Sequence, residues 1–214
     1  EPPELGRIEP LAAGDVIPIP RSDSDRDRAR ETDATGADAL RNGRVAAVLL
    51  AGGQGSRLGF DGPKGAFPFA PITRTTLFAH HAAKIAALRE RYRATIPWYV
   101  LTSPQNDGET RAFFAEHDHF GLDPASVRFV VQGTLPAVDR EDGAILLEAP
   151  DRLALSPDGH GGLLSALRAS GALDEMDAAG VTTIFTFQVD NPLLPVCRPD
   201  VVGHHVQAGA DMSS

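Results

Sequence analysis

A chain of 214 residues, 42% apolar and 23% charged, is long enough to bury one sizeable core, which excludes disorder as a description of the whole. Its formal net charge of −9 and pI near 5.2 argue against a general nucleic-acid or anionic-membrane surface, so any phosphate ligand has to be caught by a local site. The single cysteine, Cys197, excludes an intrachain disulfide and a multi-cysteine zinc site, and the sequence shows neither a basic-then-apolar leader nor a membrane-length apolar run; a soluble, cytoplasmic protein is expected.

The first 44 residues hold 17 charged residues, and five of the 17 prolines lie within the first 20. That composition predicts an extended, solvated lead-in over residues 1–44. The alternating signs of Arg21–Glu31 read as a solvated linker in preference to a phosphate-binding arm, and Ala39–Arg44 is expected to close a short helix before the core begins.

From Val45 the pattern becomes an alternation of strands and helices. Val45–Ala51 is a continuous apolar run bounded by glycines, which suits a strand buried on both faces of a parallel sheet. A glycine-rich loop follows, then a helix over Thr76–Arg91, where Leu77, His81, Lys84, Ile85 and Leu88 recur at helical spacing. Trp98–Thr102 is a second strand, Glu109–His117 a helix, and Val127–Val131 a third strand. Ile145–Glu148 and Leu153–Leu155 are short strands, Gly162–Ala169 and Ala172–Ala179 helices, and Thr183–Val189 another buried strand. The expected class is α/β, a Rossmann-like arrangement whose mostly parallel (mixed) central sheet is flanked by helices. Ligands of such sheets bind beyond the carboxyl ends of the strands, where Gly52 and Asp190 both fall.

The densest chemical signal is Leu50-Ala51-Gly52-Gly53-Gln54-Gly55-Ser56-Arg57-Leu58-Gly59, followed by Phe60-Asp61-Gly62-Pro63-Lys64-Gly65. Six glycines in this stretch let successive N–H groups face one point as a concave anion receptor. Arg57 adds a planar fork for phosphate oxygens and Lys64 a compact charge. A dinucleotide fingerprint fails because Leu58 stands where the third glycine belongs. The phosphate loop of nucleotide triphosphatases fails because Lys64 lies between Pro63 and Gly65.

Elsewhere the residues alone leave alternatives open. Gln132, ending the third strand, can present a donor and an acceptor to a base edge or serve as a loop hydrogen-bonder. Asp190, ending the last strand, suits a hard cation or caps the turn before Pro192. His160 beside glycines reads as a helix-start residue, and Asn191 as structural. His80-His81 and His117-x-His119 lack a third zinc ligand and read as surface or half-buried residues. Of the 20 basic residues only Lys64 and Lys84 are lysines, and Lys84 reads as a solvated or snorkelling side chain. Cys197 has no partner that would activate it.

The segment VLLAGGQGSRLG…GPKG resembles the eukaryotic-type UDP-sugar pyrophosphorylases, and the UDP-N-acetylglucosamine branch more than the UDP-glucose branch. The likeness continues through FFAEHDHFGL (113–122), VVQGTLPAV (130–138), SPDGHGGLLSAL (156–167) and VDNPL (189–193), with a weaker match at 8–20. It implies a nucleotidyltransferase fold and the reaction of UTP with a sugar 1-phosphate, giving a UDP-sugar and pyrophosphate with Mg²⁺. Residues 45–214 would be the nucleotide-binding part of the catalytic domain, with the sugar-binding segment and a second phosphate-binding lysine beyond the matched region. By likeness, Leu50, Ala51, Gly52 and Gly53 contact the nucleoside, Gly55, Ser56 and Arg57 cradle the phosphates, and Lys64 stabilises charge on the α-phosphate. Gln132 and Gly159 meet the uracil, and Asp190 is the metal aspartate. His160 departs from the asparagine usual in the N-acetylglucosamine branch and matches the Gly-His-Gly of the UDP-glucose branch, which opens the choice of sugar. UTP and sugar 1-phosphate are thus the expected partners, without nucleic acid or membrane.

Overall fold

Strand β1 (Val45–Leu50) is covered on both faces, and its apolar run is continuous for that reason. Val45, Ala47 and Leu49 join one core cluster with Leu40, Phe78, Ile85, Trp98, Phe114 and Val202, while Ala46 and Val48 join a second with Tyr99, Leu101, Leu163, Leu167 and Met176. The computed structural model describes residue 12 and residues 16–214. Most of the weak match at 8–20 lies outside those residues; 16–20 are exposed and without regular structure.

The predicted strands and helices form in chain order. Helix α1 (Asp23–Arg41) precedes β1; α2 (Leu77–Tyr92), β2 (Trp98–Thr102), α3 (Asp107–Glu116) and β3 (Val127–Val131) follow it. Short strands β4 (Thr134–Pro136), β5 (Leu147–Ala149), β6 (Arg152–Leu153) and β7 (Leu155–Pro157) lead to α4 (Leu163–Ala169), α5 (Ala172–Ala178), β8 (Thr183–Gln188) and α6 (Pro199–Ala208). The main sheet has the order β3-β2-β1-β8 with every pairing parallel, and the antiparallel pairs β4–β7 and β5–β6 stand apart from it. The chain runs from β1 outward through β2 and β3, and β8 returns to the opposite side of β1. The carboxyl ends of β1 and β8 therefore frame the crevice at the switch point, where such sheets bind ligands.

Two expectations are corrected. The lead-in is not extended over residues 23–41, because the alternating charges build a helix. Ser22 and Asp25 form a capping box, with Asp25 N–H donating to Ser22 Oγ at 3.1 Å and Ser22 N–H to Asp25 Oδ2 at 3.0 Å. Arg26, Arg28 and Arg30 each pair with the aspartate three residues back. Thr32, Gly36, Ala37 and Leu40 form the buried side. There α1 packs on α6 so closely that a Cβ at Gly203 would lie 1.9 Å from the Thr32 carbonyl oxygen. The single strand expected at Leu153–Leu155 is two: β6 pairs with β5, and β7 pairs with β4. This second pairing matters for the site, since it returns residues 157–160 to the end of β3.

Candidate functional site

The loop leaving β1 is tied to itself and to its neighbours by backbone bonds. Gly55 N–H donates to Gly62 O at 2.9 Å, Lys64 N–H to Gly53 O at 3.0 Å and Leu58 N–H to Gly55 O at 2.7 Å. These bonds fold 53–64 into a narrow antiparallel ladder and bring Lys64 back over the start of the loop. A second 3₁₀ turn, Lys64–Ala66, rests on α2; a Cβ at Gly65 would overlap the Phe78 ring, at 2.1 Å from Cζ. The N–H groups of Gly52, Gly53 and Gln54 donate to no carbonyl among the described residues. Consecutive free donors at a strand end are the requirement for an anion receptor.

Lys64 leans over Gly53, its Nζ 3.6 Å from where a Gly53 Cβ would stand, and donates to Asp190 Oδ2 at 2.9 Å. The pair is partly exposed, with the side chains 24% and 45% accessible. Asp190 reaches this point because β8 runs parallel beside β1, with Val189 N–H donating to Leu50 O at 3.1 Å. On the other side Gln132 is 8% exposed and lies against Gly52, where a Cβ would approach its Nε2 to 2.8 Å. Its backbone N–H donates to Thr102 O at 2.9 Å. The β4–β7 pair pulls the next segment in: Thr134 faces Pro157, and Asp158 N–H donates to Gly133 O at 3.0 Å. Gly159, at φ 70°, and exposed His160 follow directly.

The structure thus gathers Leu50, Ala51, Gly52, Gly53, Lys64, Gln132 and Asp190 around one crevice and brings Gly159 and His160 to its edge. Ser56 and Arg57 sit on the exposed outer turn of the loop, and Arg57 makes no ion pair with another described residue. Gly55 is buried inside the ladder, where its N–H is already used.

Four residues carry the site without having been singled out as part of it. Asn106, fully buried, donates from Nδ2 to Ala51 O at 2.9 Å and to Gly53 O at 3.2 Å, while its Oδ1 accepts from Ser103 N–H at 2.9 Å. It fixes the carbonyls of the glycine loop, leaving the N–H groups to point elsewhere. Lys84, read as a solvated or snorkelling side chain, is half-buried and donates to the carbonyls of Pro192 and Leu194, the latter at 2.9 Å. His80 Nε2 donates to Pro192 O at 2.9 Å and His81 Nε2 to Val189 O at 3.0 Å. His81 is fully buried, correcting its reading as a surface or half-buried residue. Burial lowers its pKa to about 4, with the nearby Lys84 charge and His80 acting the same way against the bond to Val189. Burial also lowers the Lys84 pKa. Cys197 is buried, and desolvation pushes its thiol up to about 12, so it is no nucleophile at neutral pH.

Asp190 presents a carboxylate whose Oδ1 accepts from no described side chain, beside the free N–H groups of the loop. No group of three or more His, Cys, Asp or Glu side chains that could hold a metal ion occurs among the described residues. A hard divalent cation held by one carboxylate and by ligand phosphates fits this donor set; an all-protein cage does not. No helix among the described residues is long and apolar enough to cross a membrane.

Comparison with known proteins follows the same lines. The family model described as UTP–glucose-1-phosphate uridylyltransferase matches residues 7–213. The chain is 41% identical to the human UDP-N-acetylhexosamine pyrophosphorylase-like protein 1 over 217 residues, covering 98% of this chain and 42% of that protein. It is 35% identical to the UDP-N-acetylglucosamine pyrophosphorylase of Saccharomyces cerevisiae, covering 84% of this chain and 38% of the relative. The crystal structure of the uridine diphosphate N-acetylglucosamine pyrophosphorylase from Trypanosoma brucei superimposes with a TM-score of 0.79 at 32% identity, covering 88% of this chain and 41% of that one. The chain spans about two-fifths of the length of each.

Proposed function

Since the chain belongs to the UTP–glucose-1-phosphate uridylyltransferase family of UDP-sugar pyrophosphorylases, we propose that it forms the nucleotide half of a uridylyltransferase site. In that reaction UTP and a sugar 1-phosphate give a UDP-hexose and pyrophosphate, and UDP-N-acetylglucosamine is favoured over UDP-glucose or UDP-galactose. The single observation that carries this reading is the convergence, at the carboxyl ends of β1, β3 and β8, of unpaired loop N–H groups, Gln132 and the Lys64–Asp190 pair.

The chemistry asks for positioning and charge neutralisation, without a covalent enzyme intermediate. A sugar-phosphate oxygen attacks the α-phosphorus in line, and the bond from that phosphorus to the bridging oxygen breaks as pyrophosphate leaves. The N–H groups of Gly52, Gly53 and Gln54 would hold phosphate oxygens, and Lys64, with three donors on a flexible stem, would follow charge from the α-phosphate to the departing group. Gln132, pinned beside Gly52, would read the uracil edge, with the Gly159 backbone closing on its other side. Asp190 would hold Mg²⁺, which when bound would neutralise phosphate charge. Arg57, exposed on the outer turn, would reach the terminal phosphates with its planar fork.

The test is pyrophosphate release from UTP by the product of the intact gene, assayed with N-acetylglucosamine, glucose and galactose 1-phosphates in turn. Turnover with the N-acetylated sugar is expected to lead; no turnover with any of them defeats the reading. The chain's share of its relatives' length favours a second reading for this segment by itself, a module that binds UTP without turning it over. Saturable UTP binding without pyrophosphate release identifies that case.

A further inference from the structure

In a chain where arginine supplies nearly all the cationic side chains, both lysines end on the same turn. Lys64 grips the Asp190 carboxylate from the loop side, and Lys84 grips the carbonyls of Pro192 and Leu194 from α2. His80 shares the Pro192 oxygen with Lys84, and His81, one position on, takes the carbonyl of Val189. Three carbonyls that bracket Asp190 on both sides are therefore held by donors from a single turn of one helix. We propose that His80, His81 and Lys84 are positioning residues, which hold the 189–194 turn by its backbone and so set where the Asp190 carboxylate stands relative to Lys64 and the glycine loop.

Past Val189, whose N–H donates to Leu50 O at 3.1 Å, the turn has few other bonds to define it. Its internal backbone bonds are Asn191 N–H to Gln188 O at 3.2 Å and Leu194 N–H to Asn191 O at 3.4 Å, both at the long end of the range. The Asp190 side chain bonds only to Lys64 among the described residues. The clamp is anchored in the core: His81 is fully buried with its ring edge-on to Phe187 of β8, centroids 5.2 Å apart, and His80 packs edge-on to Phe69 at the same distance. Because a carbonyl only accepts, each ring presents a proton on Nε2. Two of three ammonium donors of Lys84 are spent on carbonyls, and burial opposes its charge, so a lysine here is costly to keep unless its bonds matter. Loss of a group that orients a metal ligand from behind typically costs about tenfold to a hundredfold in metal affinity or activity.

The inference rests on Asp190 holding the divalent cation that accompanies UTP. Calorimetric titration of the 214-residue chain with UTP, in Mg²⁺ and in EDTA, separates the two claims. Lys84→Met should weaken binding in Mg²⁺ by about tenfold to a hundredfold while leaving binding in EDTA within about twofold. His80→Phe, which keeps the contact with Phe69 and loses the donor, should act in the same direction, and Lys84→Arg should restore part of the loss. In an Asp190→Ala background, Lys84→Met should add less than about twofold, because the two changes remove one function. Equal losses with and without Mg²⁺, or full additivity with Asp190→Ala, would overturn the positioning role. A loss in Asp190→Ala with none in Lys84→Met and His80→Phe overturns it too, while sparing the functional reading. UTP affinity indifferent both to Mg²⁺ and to Asp190→Ala overturns the metal reading and the inference with it.

Discussion

Lys64 and Asp190, 126 positions apart in sequence, meet at 2.9 Å across the crevice between β1 and β8. The pair couples the phosphate loop to the strand end that carries the metal-binding aspartate of our proposal. Being partly exposed, it adds little to stability, about 1 kcal/mol or less. Under the proposed function its use is in binding: an incoming polyphosphate would find a cation and an acidic ligand already side by side. Lys64→Ala is accordingly expected to leave the unfolding free energy within about 1 kcal/mol of the parent and to lower kcat of the whole gene product by about a hundredfold or more. Denaturant titration and pyrophosphate release measure the two; a stability loss that matches the activity loss would assign Lys64 to structure.

Asn106 is the residue most committed to the shape of the loop. Its amide satisfies Ala51 O, Gly53 O and Ser103 N–H from a fully buried position. Asn106→Ala leaves Ala51 O and Ser103 N–H without partners, while Gly53 O keeps only the Lys64 N–H. A destabilisation of about 2–4 kcal/mol follows, together with weaker UTP binding that persists well below the unfolding transition. Unchanged stability would show that water replaces the amide and that the loop holds its shape unaided.

His160 stands exposed beside Gly159, on a segment whose entry β7 and Asp158 hold against the end of β3. If it helps choose the sugar, His160→Asn shifts the ratio of kcat/KM between N-acetylglucosamine 1-phosphate and glucose 1-phosphate by about tenfold or more toward the N-acetylated substrate. Competition kinetics with both sugars in one mixture gives the ratio directly. An unchanged ratio removes the role.

The pH dependence of stability has a definite sign at His81. Its pKa falls from 6.5 to about 4 on folding, chiefly by burial, so between those values the unfolded chain binds more protons than the folded one. Stability is full above pH 6.5 and declines as pH falls toward 4, by up to about 3 kcal/mol, with no further contribution below. Urea unfolding at pH 7 and pH 4.5 should show this decline in the parent and a smaller one in His81→Gln. An equal decline in both would mean that other groups cause it.

Much of this architecture could be read from residues alone because its central strands, β1 and β2, are buried on both faces. A run such as VAAVLLA has no alternation to misread, and the glycine loop announces itself by density. What escaped reading depended on partners distant in sequence. The alternating charges of Arg21–Glu31 read as a linker in sequence, whereas the Ser22–Asp25 capping box and the spacing of aspartate to arginine build α1. Helix α6 had no expected counterpart, although Gly203 is where α1 and α6 touch. Lys84 was visible as a rarity but not as a donor, since its acceptors are carbonyls about 110 positions away, and carbonyls carry no sequence signature. Asn106 was hidden because the helix after it was expected to begin at Glu109; it begins at Asp107, which makes Asn106 its cap residue, with its side chain turned to the loop.

The central claim is that the crevice between β1, β3 and β8 binds UTP and reads its base through Gln132. Direct titration of the 214-residue chain with UTP, CTP and ATP in Mg²⁺ tests it most simply. Saturable binding with one site, UTP tighter than CTP or ATP by about tenfold or more, and a preference that collapses in Gln132→Ala are the predicted results. Equal affinity for the three nucleotides, or no binding of UTP, would contradict the account.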